Sequence, residues 1–292
     1  MRDIKYSQNF VKDQGLIESL IKASSISKYD LVFDIGAGTG EITDILSKSC
    51  KEVIAIEKDK KLYNDLRKRF ELTSNVQVVN QDILNYNFPT DKNYKIFSNI
   101  PFNYTADIIR KLSDQKRLSE DIYLFTQKQV ALNYLGEPVE SIKSLFIKIH
   151  FLPSIIHHFR RNDFKPSPRI EVVLLRFRRL DRFLINEKDL LEWKNFVVYG
   201  FSQFKSTLKE GFAKIFTDTQ FRRLAKDLKF NLHAKPTQLS IVQLVSLYNF
   251  FRDNVEAQKK NLIRDSYAQL LKQQNSLQKI HRTRTDKDWR TK

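Results

Sequence analysis

From Leu31 to Phe125 short uninterrupted apolar runs alternate with segments of helical period. Leu31–Gly36, Val53–Glu57, Val76–Val79, Tyr94–Ser98 and Asp121–Phe125 read as five buried strands, and Glu41–Lys48, Lys60–Phe70 and about Thr105–Leu112 as helices between them. Strands spaced by helices imply a parallel sheet covered on both faces. Two further β-like runs, Leu145–Phe151 and Ile170–Phe177, are expected to pair antiparallel at its edge. Past Asp181 the β signal disappears. Glu187–Phe204, Phe221–Leu228, Ser240–Arg252 and Glu256–Gln274 all keep a helical period. The expected architecture is an α/β domain over residues 1–180, a small all-α domain over 181–276, and a polar basic tail over 277–292 with no fixed structure.

Composition narrows what such a chain can do. Of 292 residues 41% are apolar and 22 are phenylalanine, enough for a substantial core. Cys50 is the only cysteine, so no intrachain disulfide or thiolate metal cluster is available, and the five histidines show no metal-ligand spacing. The start lacks an apolar leader, and no stretch reads as a membrane span, so a cytoplasmic chain is expected with no metal and no membrane partner. The formal net charge is +17. A surplus of that size attracts polyanions, of which nucleic acid is the commonest inside a cell.

The chemistry concentrates at the predicted strand ends. Three of the seven glycines fall in Gly36-Ala37-Gly38-Thr39-Gly40, between a strand and a helix. Glycine there lets the backbone turn sharply and approach a ligand closely. Taken alone, the turn suits nicotinamide, flavin and S-adenosylmethionine equally. Glu57 closes the second strand, where a carboxylate can accept from the ribose hydroxyls of a nucleoside cofactor, and Asp82 lies beyond the third, where one can accept from an adenine amino group. Asn99-Ile100-Pro101-Phe102 follows the fourth. An adenine amino nitrogen is a poor nucleophile because its lone pair is delocalised into the ring. Two acceptors on its hydrogens, the Asn99 amide oxygen and the Ile100 carbonyl, would localise that lone pair. Pro101 would stiffen the backbone and Phe102 would stack on the purine.

These segments resemble the ribosomal RNA adenine dimethylase superfamily and, within it, the Erm family of macrolide-resistance methyltransferases, from about Lys5 to Phe251. Tyr6-Ser7-Gln8-Asn9-Phe10-Val11 is similar to the family's N-terminal cofactor motif, Asp34–Gly40 to its glycine loop, Glu57 to its ribose carboxylate, and Asp82-Ile83 to its adenine contact. Asn99–Phe102 resembles its catalytic motif, and Phe164-Lys165-Pro166-Ser167-Pro168 a motif whose aromatic covers the other face of the target base. The resemblance implies a Rossmann-like catalytic domain, a helical RNA-binding domain and S-adenosylmethionine as methyl donor. The cofactor would be held by Gln8, Asn9, Val11, Gly36, Gly38, Glu57, Asp82, Ile83 and Asn99. It implies as target one adenosine of 23S ribosomal RNA, and a monomer is expected. Phe102 stands where tyrosine is usual, and Val11 where leucine or isoleucine is.

Basic residues cluster outside the core. Residues 157–182 carry eight Lys/Arg against three acids, 203–229 seven against three, and 277–292 six against two. Arg160, Arg161 and Lys165 flank Phe164 and are candidate phosphate contacts. The rival readings are a KsgA-type small-subunit RNA dimethylase, which shares every core motif, a DNA adenine methyltransferase, and a non-catalytic nucleic-acid-binding relative. Ile100, where leucine is common in KsgA, and the short helical domain favour Erm. Intact Gly36, Glu57 and Asn99 speak against a binding module.

Overall fold

The structure, a computed structural model, describes residues 10–203 and 205–276, which form two compact units divided between Leu184 and Ile185. Among the described residues the first unit holds a seven-stranded sheet: β2 (Leu31–Ile35), β3 (Glu52–Glu57), β4 (Val76–Asn80), β5 (Lys95–Ser98), β6 (Asp121–Gln127), β7 (Phe151–His158) and β9 (Val172–Arg179). The strands run in the order β4-β3-β2-β5-β6-β9-β7. The first five are parallel, and β9 and β7 are antiparallel to their neighbours. A separate two-stranded ladder pairs β1 (Phe10–Val11) with β8 (Phe164–Lys165), setting Val11 opposite Phe164. Helices connect β2 to β3, β3 to β4 and β5 to β6, as parallel neighbours require. The chain winds outward from β2 to β4, then returns to lay β5 on the other side of β2. That reversal opens a crevice at the carboxyl ends of β2 and β5.

Helices α1 (Gln14–Lys22), α2 (Glu41–Ser49), α3 (Lys60–Arg69), α4 (Thr105–Ser113), α5 (Lys128–Leu135) and α6 (Ile142–Lys148) accompany the sheet. All five residues of β2 are buried, which is why its sequence is a run rather than an alternation. One apolar cluster joins Phe33, Ile96, Ile109, Leu124 and Phe177, and another joins Ile17, Leu46, Phe97, Phe125 and Leu174. Alternate strand residues thus feed opposite faces. At the amino ends of the strands Lys95 pairs with Asp30 at 2.9 Å, while Asp121 accepts from Arg176 and Ser25 at 2.6 Å each. These bonds satisfy buried charges at the edge remote from the crevice.

The expected strand over Leu145–Phe151 is a correction. Ser141 and Ser144 form a reciprocal capping box that starts α6, and the strand begins only at Phe151. The expected Glu256–Gln274 helix is also broken, into α11 (Ala257–Lys260) and α12 (Ser266–Ser276), with Asp265 between them at φ 65°.

Among the described residues the second unit's regular elements are all helices, with α7 (Leu190–Ser202), α8 (Leu208–Gly211), α9 (Asp218–Asp227) and α10 (Ile241–Asn254) ahead of α11 and α12. Its core is aromatic: Trp193, Phe196, Phe212, Tyr248 and Phe251 are all buried, and Phe196 stacks on Phe212 at 4.7 Å. Gly200 is required by that packing, since a Cβ there would lie 2.7 Å from the Phe212 ring. No helix among the described residues is long and apolar enough to cross a membrane.

Candidate active site

The crevice at the sheet reversal encloses about 410 Å³, its open mouth included, and is lined by Val11, Ile17, Asp34, Gly36, Ala37, Glu41, Ile42 and Asn99. Three residues singled out from sequence, Val11, Gly36 and Asn99, therefore share one cavity although 88 positions of chain separate the outer two. Gly36, Gly38 and Gly40 take φ of 68°, 59° and 89°, values that penalise any residue with a Cβ. The turn is pinned to β3, since the Gly36 N–H donates to the Ile56 carbonyl at 2.8 Å. Gly40 ends it at the start of α2, where Glu41 and Asp44 complement the helix dipole.

Glu57 is buried at the end of β3. One carboxylate oxygen accepts from the Gly38 N–H at 2.9 Å and the other from the Asp59 N–H at 2.8 Å. It already braces the glycine turn, and each oxygen keeps further acceptor capacity for a ligand hydroxyl. Asp34 is fully buried. Burial pushes its carboxyl up to about 7; the Thr43 hydroxyl, donating at 2.7 Å, opposes that rise, and the charges of Glu57 and Glu41 add to it. Three carboxylates thus face or flank one cavity. One of them ionises reluctantly there unless positive charge arrives.

Asn99 follows β5 directly and is half-buried, Ile100 is buried, and Pro101 precedes a short 3-10 turn, Phe102–Tyr104. Ser98, fully buried, accepts from the Ile35 N–H through its hydroxyl at 2.7 Å. That bond ties β5 to β2 one residue before each strand gives way to the functional turns, and so sets Asn99 against Gly36. Sequence reasoning missed Ser98 and Thr43, since a lone hydroxyl at a strand end or inside a helix carries no signal. It noted Asp34 without a role.

The other expected residues divide. Gln8 and Asn9 lie outside the described residues, as does the tail 277–292. Asp82 sits past β4 at the same carboxyl edge. Its carboxylate accepts from the Leu84 N–H at 3.0 Å and pairs with Lys58 at 2.7 Å, which holds it below the usual carboxylate range. Ile83 packs on the core beside it. Arg160, Arg161 and Lys165 are exposed, and among the described residues none of them is in an ion pair. Phe164 departs from the base-covering position that the resemblance implies. It is 0% exposed, 5.3 Å from the Phe159 ring and clustered with Val11, because its pairing with β1 turns the side chain into the core. Phe102 packs on the same cluster and is only half-buried.

The ribosomal RNA adenine dimethylase family model matches residues 2–253. The chain belongs to that family. An rRNA adenine N-6-methyltransferase of Limosilactobacillus reuteri is 32% identical over 251 residues, covering 86% of this chain and 97% of the relative. A ribosomal RNA small subunit methyltransferase A of Caldanaerobacter subterraneus is 27% identical over 84% of this chain and 95% of its own. Among solved structures, the 23S rRNA methyltransferase ErmE superposes with a TM-score of 0.76 at 20% identity, over 84% of this chain and 100% of that one. A dimethyladenosine transferase of Plasmodium falciparum gives 0.67 at 22% identity, over 83% of this chain and 98% of that one. At those identities the two structures speak for the fold.

Proposed function

We propose that this chain transfers a methyl group from S-adenosylmethionine to the exocyclic N6 of one adenosine in 23S ribosomal RNA, and that the modified ribosome resists macrolide, lincosamide and streptogramin B antibiotics. Family membership makes the chain an rRNA adenine-N6 methyltransferase that uses S-adenosylmethionine. The choice of the large-subunit RNA rests on the Erm-like motifs, since the curated relatives at 30–32% identity are named for rRNA adenine N-6 methylation without a subunit. The proposal takes the chain as a monomer and as cytoplasmic, where its ribosomal RNA substrate is found.

The observation that carries the catalytic reading is Asn99 in the same cavity as Gly36 and Asp34. The cavity fits the cofactor by charge: a buried carboxyl disfavoured as an anion, with two more carboxylates near it, suits a ligand bearing a sulfonium and an ammonium. Gly36 and Gly38 would let it approach the main chain, Glu57 would accept from its ribose hydroxyls, and Val11 and Ile42 would line its apolar side. When bound, S-adenosylmethionine supplies an electrophilic methyl on a positively charged sulfur.

The remaining chemistry belongs to this chain. The Asn99 side-chain oxygen and the Ile100 carbonyl accept the two N6 hydrogens, drawing the nitrogen out of conjugation and aiming its lone pair. Pro101 restricts the backbone carrying that carbonyl. Phe102 gives the purine an apolar face. The proton surplus on nitrogen after transfer passes to water, so no strong base is required. Positioning of this kind supplies on the order of 7–11 kcal/mol in favourable intramolecular cases. The target must leave its stack to reach the crevice, which favours an unpaired or flipped-out nucleotide.

The deciding experiment is incubation with labelled S-adenosylmethionine and separated 23S and 16S RNAs, naked and in subunits, followed by mapping of the modified base. Label at one 23S adenosine is expected. Label confined to 16S RNA would replace the reading with the small-subunit one, which the 27% identical relative supports. Absence of label would remove catalysis altogether.

A further inference from the structure

The helical unit carries a second concavity that the methyl-transfer chemistry does not use. It encloses about 810 Å³, its open mouth included, and is lined by Lys229, Phe230, Asn231, His233, Ala234, Gln238 and Gln243. Its side-chain amides are oriented by hydrogen bonds that leave little choice. The Asn231 oxygen accepts from the His233 N–H at 2.8 Å, the Gln238 oxygen from the Lys235 N–H at 2.8 Å, and the Gln243 oxygen from the Ser240 N–H at 2.9 Å. Gln243 also spends its NH2 on the carbonyls of Leu228, at 3.0 Å, and Lys229. All three amide oxygens are engaged by backbone donors. With their oxygens engaged, Asn231 and Gln238 keep their NH2 groups as the donors they can offer a ligand, and the exposed Lys229 and His233 line the same concavity. A concavity that offers donors and a lysine cation, with its amide oxygens already engaged, selects an anion.

The position of Lys229 is a second, independent observation. It follows the end of α9 at φ 55° and closes that helix with the Phe230 N–H donating to the Ala225 carbonyl at 3.0 Å. That left-handed place after a helix is where glycine is usual, because a Cβ is penalised there. A lysine kept at a glycine position lines the cavity and is in no ion pair among the described residues. Backbone strain retained at a cavity is the pattern of a functional rather than a packing residue.

We infer that the Lys229–Gln243 concavity binds a backbone phosphate of the RNA substrate, with Lys229, His233 and the Asn231 and Gln238 amides around its non-bridging oxygens. The inference rests on the ribosomal RNA reading above and adds a contact on the helical unit. It is tested on the full chain by filter binding of naked 23S RNA across a salt series, with methyl transfer by the wild type as control. Loss of one phosphate contact should lower the slope of log K against log[salt] by about 0.7–0.9, and weaken affinity about 5- to 10-fold near 0.1 M salt. Lys229→Gln is expected to show both. Lys229→Gly is expected to show the same binding loss while melting a few degrees higher, since glycine relieves the left-handed strain. Wild-type affinity and slope in both variants would overturn the inference and leave the methyltransferase reading standing. Failure of the wild type to bind or methylate any ribosomal RNA would remove both.

Discussion

Asp34 offers the sharpest physical test of the cofactor crevice. With its carboxyl near 7 when folded against 3.8 ordinarily, the folded chain holds a proton that the unfolded chain has released across that interval. Below pH 3.8 both states are protonated and the group contributes nothing. Stability is then lost as pH rises, and the loss is complete above about 7. Between pH 5 and 7 the loss is roughly 2 kcal/mol, which is about 4–8 °C in Tm for a unit of this size. Asp34→Asn keeps an oxygen for the Thr43 hydroxyl and cannot ionise, so its Tm advantage over the wild type should widen by that amount as pH is raised. The cofactor reverses the balance: a cation in the crevice favours the ionised carboxyl. Wild-type binding near pH 6.5 should therefore release a proton, visible as a dependence of calorimetric enthalpy on the buffer's ionisation enthalpy, while Asp34→Asn should bind more weakly and release less. Parallel Tm–pH curves for the two proteins, or no buffer dependence, would refute the argument that the buried carboxyl awaits a positive ligand.

Asn99→Ala should lower turnover by at least about 10²-fold, as removing a charge-positioning hydrogen-bond partner does elsewhere, with RNA and cofactor affinity retained; turnover near wild type would remove its acceptor role. Glu57→Ala should raise the cofactor dissociation constant roughly 10- to 100-fold, the scale of hydrogen bonds to a charged group, and lower Tm because the Gly38 and Asp59 N–H groups lose their acceptor; an unchanged constant by calorimetry would contradict it. Gly40→Ala should destabilise by about 1–3 kcal/mol, since its Cβ would lie 2.7 Å from Leu66 and 2.9 Å from the Phe70 ring at φ 89°. Denaturant melts that superpose on the wild type would show the turn to be looser than drawn.

The parallel sheet was legible because strands buried on both faces have no polar alternation to hide them, as Leu31–Ile35 and Val53–Glu57 illustrate. The crevice was legible in part, since glycines at left-handed positions and a carboxylate closing a strand leave marks in one dimension. What stayed hidden is interaction at a distance. Leu145–Phe151 looks like a strand until the Ser141–Ser144 capping box is seen to start a helix there. Ser98 and Thr43 acquire roles only when β5 lies beside β2 and α2 folds back over Asp34. Lys229 looked like one more basic residue until its backbone angle marked it out.

Phe164 shows how far pattern and packing can diverge. Freeing a buried phenylalanine from its cluster would cost about 1.5–3 kcal/mol of apolar burial. It would also break the ladder that pairs Val11 with Phe164 and lets the Lys12 N–H donate to the Asp163 carbonyl. Val11 lines the crevice, so the same rearrangement would disturb the cofactor wall. Two aromatic residues are thus unequal candidates for the target base. Phe102 is half-buried, three residues from Asn99, and can stack without unfolding anything, whereas Phe164 must first be offset by new contacts. The loop's exposed cations can supply those contacts: Arg160, Arg161 and Lys165 reach solvent while Phe164 stays in the core.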